Sequence, residues 1–405
     1  SLAMMRYVPR LSDGRPVPLS WPMALYRRLN HVAWPLEDGA SRRMVLLERF
    51  LLVMVFLIFC EHNEVDLHYL LVNRDDLDKM LTGVPTYLIQ IEMHIRSFQL
   101  VSKKTEFKRL MQKFYADIYV TQESEPALFA SIQKQMLPTR VNSFLYMMTM
   151  INFALVPVMN VIYHRREMLF KQAFFFDNTK LQYYIPLLCT NYWTGTIITS
   201  TIFGELNVFG EQMMHLNARY KLLCRDLNGL SKTFLENGHP SEIAANFRRA
   251  LVGILRRNAE LNAFGQRMEN QYTFRIFFMF AFSAALVCVM GFKAYTNPAG
   301  NIVYILWFMA KFCELLALGV LGSILYKTTD ELSVVYYCCN WEQVIYQSTN
   351  AAENVKLMKL ITLSIEINSR PFCLTGLNYF SVTVVAVVKI LQGAFSYFTF
   401  LTSMR

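Results

Sequence analysis

Charge is scarce in this sequence. Only 17% of its 405 residues are Asp, Glu, Lys or Arg, whereas a soluble globular protein carries about 25%. Hydrophobic residues make up 54% and aromatics 14%, against a usual apolar share of about 45–50%. So little charge on so much apolar surface excludes a disordered chain, which needs the opposite balance, and disfavours a single soluble core. Glycine (16) and proline (13) are few, which excludes a collagenous or low-complexity protein. The eight cysteines form no CxxC pair and sit mostly in apolar stretches, which points to buried free thiols rather than a zinc site or a disulfide framework. The first 40 residues hold Arg and Pro but no continuous apolar run, so no cleavable signal peptide is expected. Equally absent are HExxH, a His/Asp/Glu cluster of metal spacing and a nucleophile elbow, so neither an enzyme nor a cofactor is expected.

Apolar runs are abundant. Seven are long enough for the ~20 helical residues that cross a ~30 Å hydrocarbon layer: 44–60 with flanking turns, 77–99, 141–163, 183–210, 272–293, 301–326 and 377–401. The second is the weakest, because Glu92, His94 and Arg96 interrupt its far end. None shows the dyad alternation of a membrane barrel, so the fold class is all-α and polytopic, with seven transmembrane helices. No internal repeat is visible, which argues against an inverted-repeat transporter.

Basic residues set the expected orientation, because cytoplasmic loops retain Lys and Arg. The N-terminal flank carries Arg6, Arg10, Arg15, Arg27, Arg28, Arg42 and Arg43, and the connections after spans two, four and six bring the total on that side to 27, against 6 on the other. The net charge of +10 therefore reads as membrane topology, with no nucleic-acid partner implied. The N-terminus is placed in the cytoplasm and the C-terminus outside, the reverse of a G-protein-coupled receptor. That family's Asp-Arg-Tyr and Asn-Pro-x-x-Tyr are missing too; span three ends Tyr163-His164-Arg165. Residues 1–43 then form a cytoplasmic N-terminal segment. Residues 44–326 hold spans one to six, 327–376 a cytoplasmic helix before the last span, and 377–405 the last span with a short extracellular C-terminus.

The helical pattern does not stop at the membrane. Leu216, Tyr220, Leu223, Leu227, Leu230 and Phe234 recur at helical spacing, as do Phe247, Leu251, Ile254, Leu261, Phe264 and Met268. Asn237-Gly238-His239-Pro240 separates them, and Ser241 with Glu242 signals the second start. These extensions, at about 212–271, read as packed internal helices or as a cytoplasmic assembly platform, with Arg248, Arg249, Arg256 and Arg257 facing solvent or lipid headgroups. Lys311 and Glu314 lie near mid-depth in span six, spaced to meet on one face. Charge at that depth is costly, so they are expected to form an intramembrane ion pair. Lys389 falls midway along the last span, where it is expected to face protein or an inner vestibule.

The C-terminal third carries three motifs. Glu331-x-Ser333 with Tyr336, Tyr337 and Trp341 follows span six; Ser369-Arg370-Pro371-Phe372 precedes Thr375-Gly376-Leu377; and the chain closes on Ser396-Tyr397-Phe398-Thr399-Phe400-Leu401-Thr402-Ser403-Met404. Together with the architecture these resemble the insect odorant receptor family, an odorant-tuning subunit rather than the shared co-receptor. The ending departs from the family pattern at Ser396 (usually Thr), Thr399, Thr402, Ser403 (Gln) and Met404 (Phe). The resemblance implies an odorant-gated, non-selective cation channel in the plasma membrane of olfactory sensory neurons, assembled as a heterotetramer with the co-receptor. It also implies a last helix that lines the pore, with a gate near its outer end. Phe400 and Met404, four apart on one face, are the expected gate pair, with Ser403 beside them. A gustatory-receptor-like channel is the near alternative, and a metabotropic seven-span receptor the remoter one.

The resemblance places the ligand pocket in the outer half of spans two, three, four and six. A small volatile odorant asks for aromatic and aliphatic walls with few polar groups. At that depth the sequence offers Val84, Tyr87 and Leu88; Asn152, Phe153 and Val156; Tyr192, Trp193 and Thr196; and Tyr304, Trp307 and Phe308. The expected partners are therefore the odorant, co-receptor subunits, membrane lipids and permeating cations.

Overall fold

A computed structural model describes residues 6–162, 166–236, 239–296 and 302–403. Among these residues thirteen α-helices run in the order α1 (Trp21–Leu29), α2 (Arg42–Val72), α3 (Leu77–Ser102), α4 (Lys104–Lys113), α5 (Pro126–Gln135), α6 (Leu137–Ile162), α7 (Leu181–Leu235), α8 (Ile243–Thr296), α9 (Ile302–Asp330), α10 (Leu332–Tyr337), α11 (Trp341–Gln347), α12 (Ala351–Ile367) and α13 (Val384–Ser403). A π-helical turn, Phe114–Ile118, continues α4. The described strands are a two-residue pair, β1 (Thr375–Gly376) and β2 (Phe380–Ser381), antiparallel with Gly376 opposite Phe380.

Seven of the helices, α2, α3, α6, α7, α8, α9 and α13, correspond to the seven apolar runs and pack side by side in alternating direction. By length and hydropathy alone, four stretches among the described residues are able to cross a membrane: Pro126–Ile162, Ile243–Thr296, Ile302–Gln347 and Val384–Ser403. The remaining three spans carry polar and charged residues that the bundle buries, as described below. Ser41 and Asp76 start α2 and α3 by accepting hydrogen bonds from the Met44 and Lys79 amides, the expected N-cap chemistry.

The connections differ at the two ends of the bundle. At one end, the short-loop end, α2 joins α3, α6 joins α7 and α8 joins α9; at the other, the long-loop end, lie α4, α5, α10–α12 and the hairpin. Helices α7 and α8, at 55 and 54 residues, are about 80 Å long at 1.5 Å per residue, far beyond a ~30 Å hydrocarbon layer. Their stripes of Leu216, Tyr220, Leu223 and Leu227 and of Phe247, Leu251, Phe264 and Met268 are buried in one continuous core with α4, α10 and α12. The extensions thus form a packed domain. Two of the arginines expected at its surface tie its helices together: Arg248 pairs with Glu353 of α12 at 2.9 Å, and Arg257 with Asp226 of α7 at 2.7 Å.

The N-terminal segment is part of the fold. Trp34 is fully buried, its indole donating to the Tyr7 carbonyl at 2.9 Å. Asn30 donates to Ser200 and Thr201 of α7.

Two boundaries and the state of the cysteines differ from expectation. The region 327–376 is not one helix: α9 runs on to Asp330, and three helices and a β-strand follow. The last span starts at Val384 rather than 377, because Leu377 and Asn378 adopt positive φ (49° and 60°) and turn the hairpin. All eight cysteines are free, but only Cys288 and Cys339 are buried, while Cys60, Cys189 and Cys338 are exposed.

Candidate functional site

A second core at the short-loop end gathers Phe59 of α2, Ile89 and Met93 of α3, Tyr146 of α6, Ile197, Ile198 and Ile202 of α7, and Tyr304 and Trp307 of α9. Inside it lies a cavity of about 50 Å³, walled by Ile89, Tyr146, Thr149, Met150, Phe153, Gly195, Ile198, Thr199, Ile202 and Trp307 and roofed by Leu169 and Phe170 of the α6–α7 connection. Phe153 and Trp307 meet edge to face across it at 5.5 Å. The bare Gly195 wall is filled by the tip of Met150; a Cβ there would lie 2.7 Å from its methyl carbon.

Of the twelve pocket residues named from the sequence, Phe153 and Trp307 line this cavity. The other ten do not line it. Tyr304 donates to the Thr82 carbonyl at 2.9 Å and Tyr192 to the Ala154 carbonyl at 2.8 Å, each stitching two helices. Asn152 and Thr196 bond back to their own helices, at Met148 and Tyr192. Trp193 stacks on His31 with centroids 5.6 Å apart. Val84 packs beside Leu81, Val289 and Phe292. Leu88 touches the core from outside, Tyr87 and Val156 are half-buried, and Phe308 stacks on Phe312 on the opposite side of α9. The cavity is about one helical turn deeper than the expected level on α6 and α7. The level above is occupied by Leu169 and Phe170, which fold in from a connection that carries no periodic signal. Tyr146, Met150 and Ile198 lie one or two turns inward along the same helices, so continuing the stripe inward would have found them.

Directly beneath the cavity lies a buried ionic chain. The Tyr146 hydroxyl donates to Glu314 Oε2 at 2.5 Å. Lys311 Nζ is 3.1 Å from the same oxygen and 3.5 Å from Glu92 Oε2. Glu92 Oε1 accepts from Arg96 at 2.7 Å, Arg96 reaches Glu205 Oε2 at 2.6 Å, and Glu205 Oε1 is 2.6 Å from Arg275 Nε. The three acids and three bases balance and are all buried, as charge in an apolar interior requires. Glu92 and Arg96, which interrupt the apolar run of span two, are thus the neighbours of the span-six pair: charge that weakens a span in isolation is neutralised across α3, α7, α8 and α9.

Helix α13 packs against α8 and α9 through Val387, Leu391, Ala394, Phe398 and Leu401. The opposite face is uncovered and polar: Lys389, Gln392, Ser396, Thr399 and Ser403, at spacings of three and four. Phe400 is 60% exposed at the edge of this stripe; Met404, its expected gate partner, lies outside the described residues. Lys389 does not face protein within the chain. A larger apolar groove of about 580 Å³ separates α13 from Gly291 of α8 and from Phe308 and Phe312 of α9.

Three comparisons bear on this arrangement. A family model described as 7tm Odorant receptor matches residues 76–395. Odorant receptor 74a of Drosophila melanogaster is 62% identical over 404 residues, covering all of both chains, and Odorant receptor 35a of the same species is 44% identical over 405 residues, covering 99% of this chain and 98% of that one. The insect olfactory receptor OR5 from Machilis hrabei superposes with a TM-score of 0.74 in complex with eugenol (10% identity, covering 95% of this chain and 97% of that one) and 0.72 alone (11% identity, 100% and 96%).

Proposed function

The chain belongs to the 7tm Odorant receptor family, and from that premise we propose that it is an odorant-gated, non-selective cation channel subunit. It sits as a multi-pass protein in the plasma membrane of olfactory sensory neurons, its N-terminus cytoplasmic. The single observation that carries the channel reading is α13. One whole face is uncovered in a single chain, and the polar stripe on it lies opposite the face packed on α8 and α9. One helix cannot enclose a conduit, but copies related by rotation about an axis place the same stripe on a common lumen. The partners completing that ring are co-receptor subunits in a heterotetramer. Phe400 and Ser403 are described near the end of the stripe, where apolar side chains close a narrow lumen by dewetting, with Met404 completing the gate. The packed extensions of α7 and α8 with α10–α12 form the surface on which subunits assemble.

A small volatile ligand enters the cavity between α3, α6, α7 and α9, whose side-chain walls are apolar apart from the hydroxyls of Tyr146, Thr149 and Thr199 and the indole N–H of Trp307. Tyr192 and Tyr304 hold the helices around it, so their effect on potency is indirect, while Phe153 and Trp307 touch the ligand. Binding opens the pore only to the extent that the ligand prefers the open arrangement. Recordings from cells expressing the chain with and without the co-receptor, under G-protein blockade, test this. Odorant-evoked cation current that needs the co-receptor and survives the blockade is the expected result. With that current established, Trp307→Ala is expected to lower potency about tenfold or more, the scale of truncating a buried aromatic.

A further inference from the structure

We infer that Tyr146 is a positioning residue whose hydroxyl holds the cavity narrow, and that ligand entry opens the channel by pulling it off Glu314. This rests on the channel reading above. Tyr146 belongs to two structures at once: its ring is a wall of the cavity and its hydroxyl is the first member of the ionic chain. Of the other hydroxyl-bearing walls, Thr149 bonds back to the Leu145 carbonyl of its own helix, so its displacement would disturb only α6.

The cavity, at about 50 Å³, is far below the ~300–1,000 Å³ that enclose a small-molecule ligand. A ligand therefore has to move walls. The roof and Met150 yield without breaking an ionic contact, whereas outward movement of the Tyr146 ring separates a buried phenol from a buried carboxylate, a bond to a charged group and so among the stronger kind. Glu314 Oε2 is shared between Tyr146 and Lys311, and Oε1 has no hydrogen-bond partner. Losing the phenol leaves the carboxylate to draw Lys311 toward itself and away from Glu92, the longest contact in the chain at 3.5 Å.

From there the contacts pass through Arg96 and Glu205 to Arg275 on α8. On the same helix, six and two residues before Arg275, Glu269 accepts from the Thr375 amide at 2.9 Å and from its hydroxyl, and Thr273 Oγ1 accepts from the Leu377 amide at 2.7 Å. These bonds hold the hairpin from which α13 rises. The chain of contacts thus begins at the cavity and ends at the base of the helix with the uncovered polar stripe.

Tyr146→Phe removes the hydroxyl and keeps the ring. Whole-cell recordings from the full chain co-expressed with the co-receptor test it, using the most potent member of a defined panel of volatile phenylpropanoids (eugenol included), aliphatic alcohols and esters. Half-maximal concentration is expected to fall about tenfold, the equivalent of one charged-group hydrogen bond, with a rise in odorant-free current and unchanged reversal potential. A variant whose dose–response and odorant-free current stay within twofold of wild type overturns the inference. So does a rise in half-maximal concentration, which would make the hydroxyl a ligand contact, or a drop in maximal current alone, which would make it structural. If Tyr146→Phe does not reach the surface, Glu314→Asp retracts the carboxylate by one methylene, keeps the charge beside Lys311, and is read in the same way. A wild type that no panel member activates defeats the channel reading and this inference with it; a responding wild type with unaltered variants defeats the inference alone.

Discussion

His215 lies on α7 beyond the membrane-spanning part, fully enclosed by the packed extensions. Its Nδ1 accepts from the Val120 amide at 2.9 Å, and its ring stacks on Tyr119 with centroids 4.3 Å apart. Burial first, and Arg219 second, push its pKa down to about 3 from the usual 6.5. The folded protein therefore keeps the ring neutral where the unfolded chain takes up a proton. The contribution of this site to stability is fully present above pH 6.5 and is lost as pH falls from there toward 3, by on the order of 2 kcal/mol at pH 5. Melting temperatures of the purified protein at pH 7.5 and 5.0 should show this loss, and His215→Gln should flatten it; an equal drop in the variant would place the sensitivity elsewhere. At this scale the sequence is legible where two residues share a helix. Lys311 and Glu314, three apart, and Glu92 and Arg96, four apart, are each pairable by spacing alone, whereas no spacing rule relates the two pairs to each other or to Glu205 and Arg275, which join them from two further helices.

The start of α13 depends on a close passage over α9. A Cβ at Gly322 would lie 2.0 Å from the Val382 carbonyl oxygen, and the neighbouring Ser323 hydroxyl accepts from the Val384 amide at 3.0 Å, capping the helix. Backbone rather than a flexible side chain stands in the way, so Gly322→Ala must shift the segment from β2 into α13. We expect a loss of about 1–3 kcal/mol from overpacking, read as a lower melting temperature, together with reduced odorant-evoked current at equal surface expression. Elements were legible wherever a stripe runs uninterrupted: α7 and α8 appear with their long extensions because apolar residues recur at helical spacing through them. The hairpin before α13 was not, since it arises from positive φ at Leu377 and Asn378 and from bonds to Glu269 and Thr273, partners about a hundred positions away. The depth of the cavity was missed for a related reason, because its roof is an aperiodic connection.

At the scale of the whole molecule, the proposed channel would present the uncovered stripe of α13 to ions. Lys389 stands on that stripe with Gln392 and Ser396. A positive charge about 6 Å from an ion path costs a cation about 0.7 kcal/mol even at the dielectric of water, so Lys389→Gln should raise single-channel cation conductance on the order of twofold to threefold with unchanged odorant potency. Unchanged conductance would place this face away from the lumen. The sequence by itself determined the class of molecule: apolar runs of spanning length, basic residues weighted to one side, and helical stripes that outlast the membrane are local properties, and they gave the order of the long apolar helices and their extensions. Only the tertiary structure decided which residues of different helices meet. It joined six buried charges into one neutral chain, set the cavity a turn deeper by folding Leu169 and Phe170 over it, and left one face of the last helix bare. Each of these depends on distances between segments far apart in the chain, where packing and charge neutralisation in an apolar interior choose among arrangements that local periodicity treats as equal.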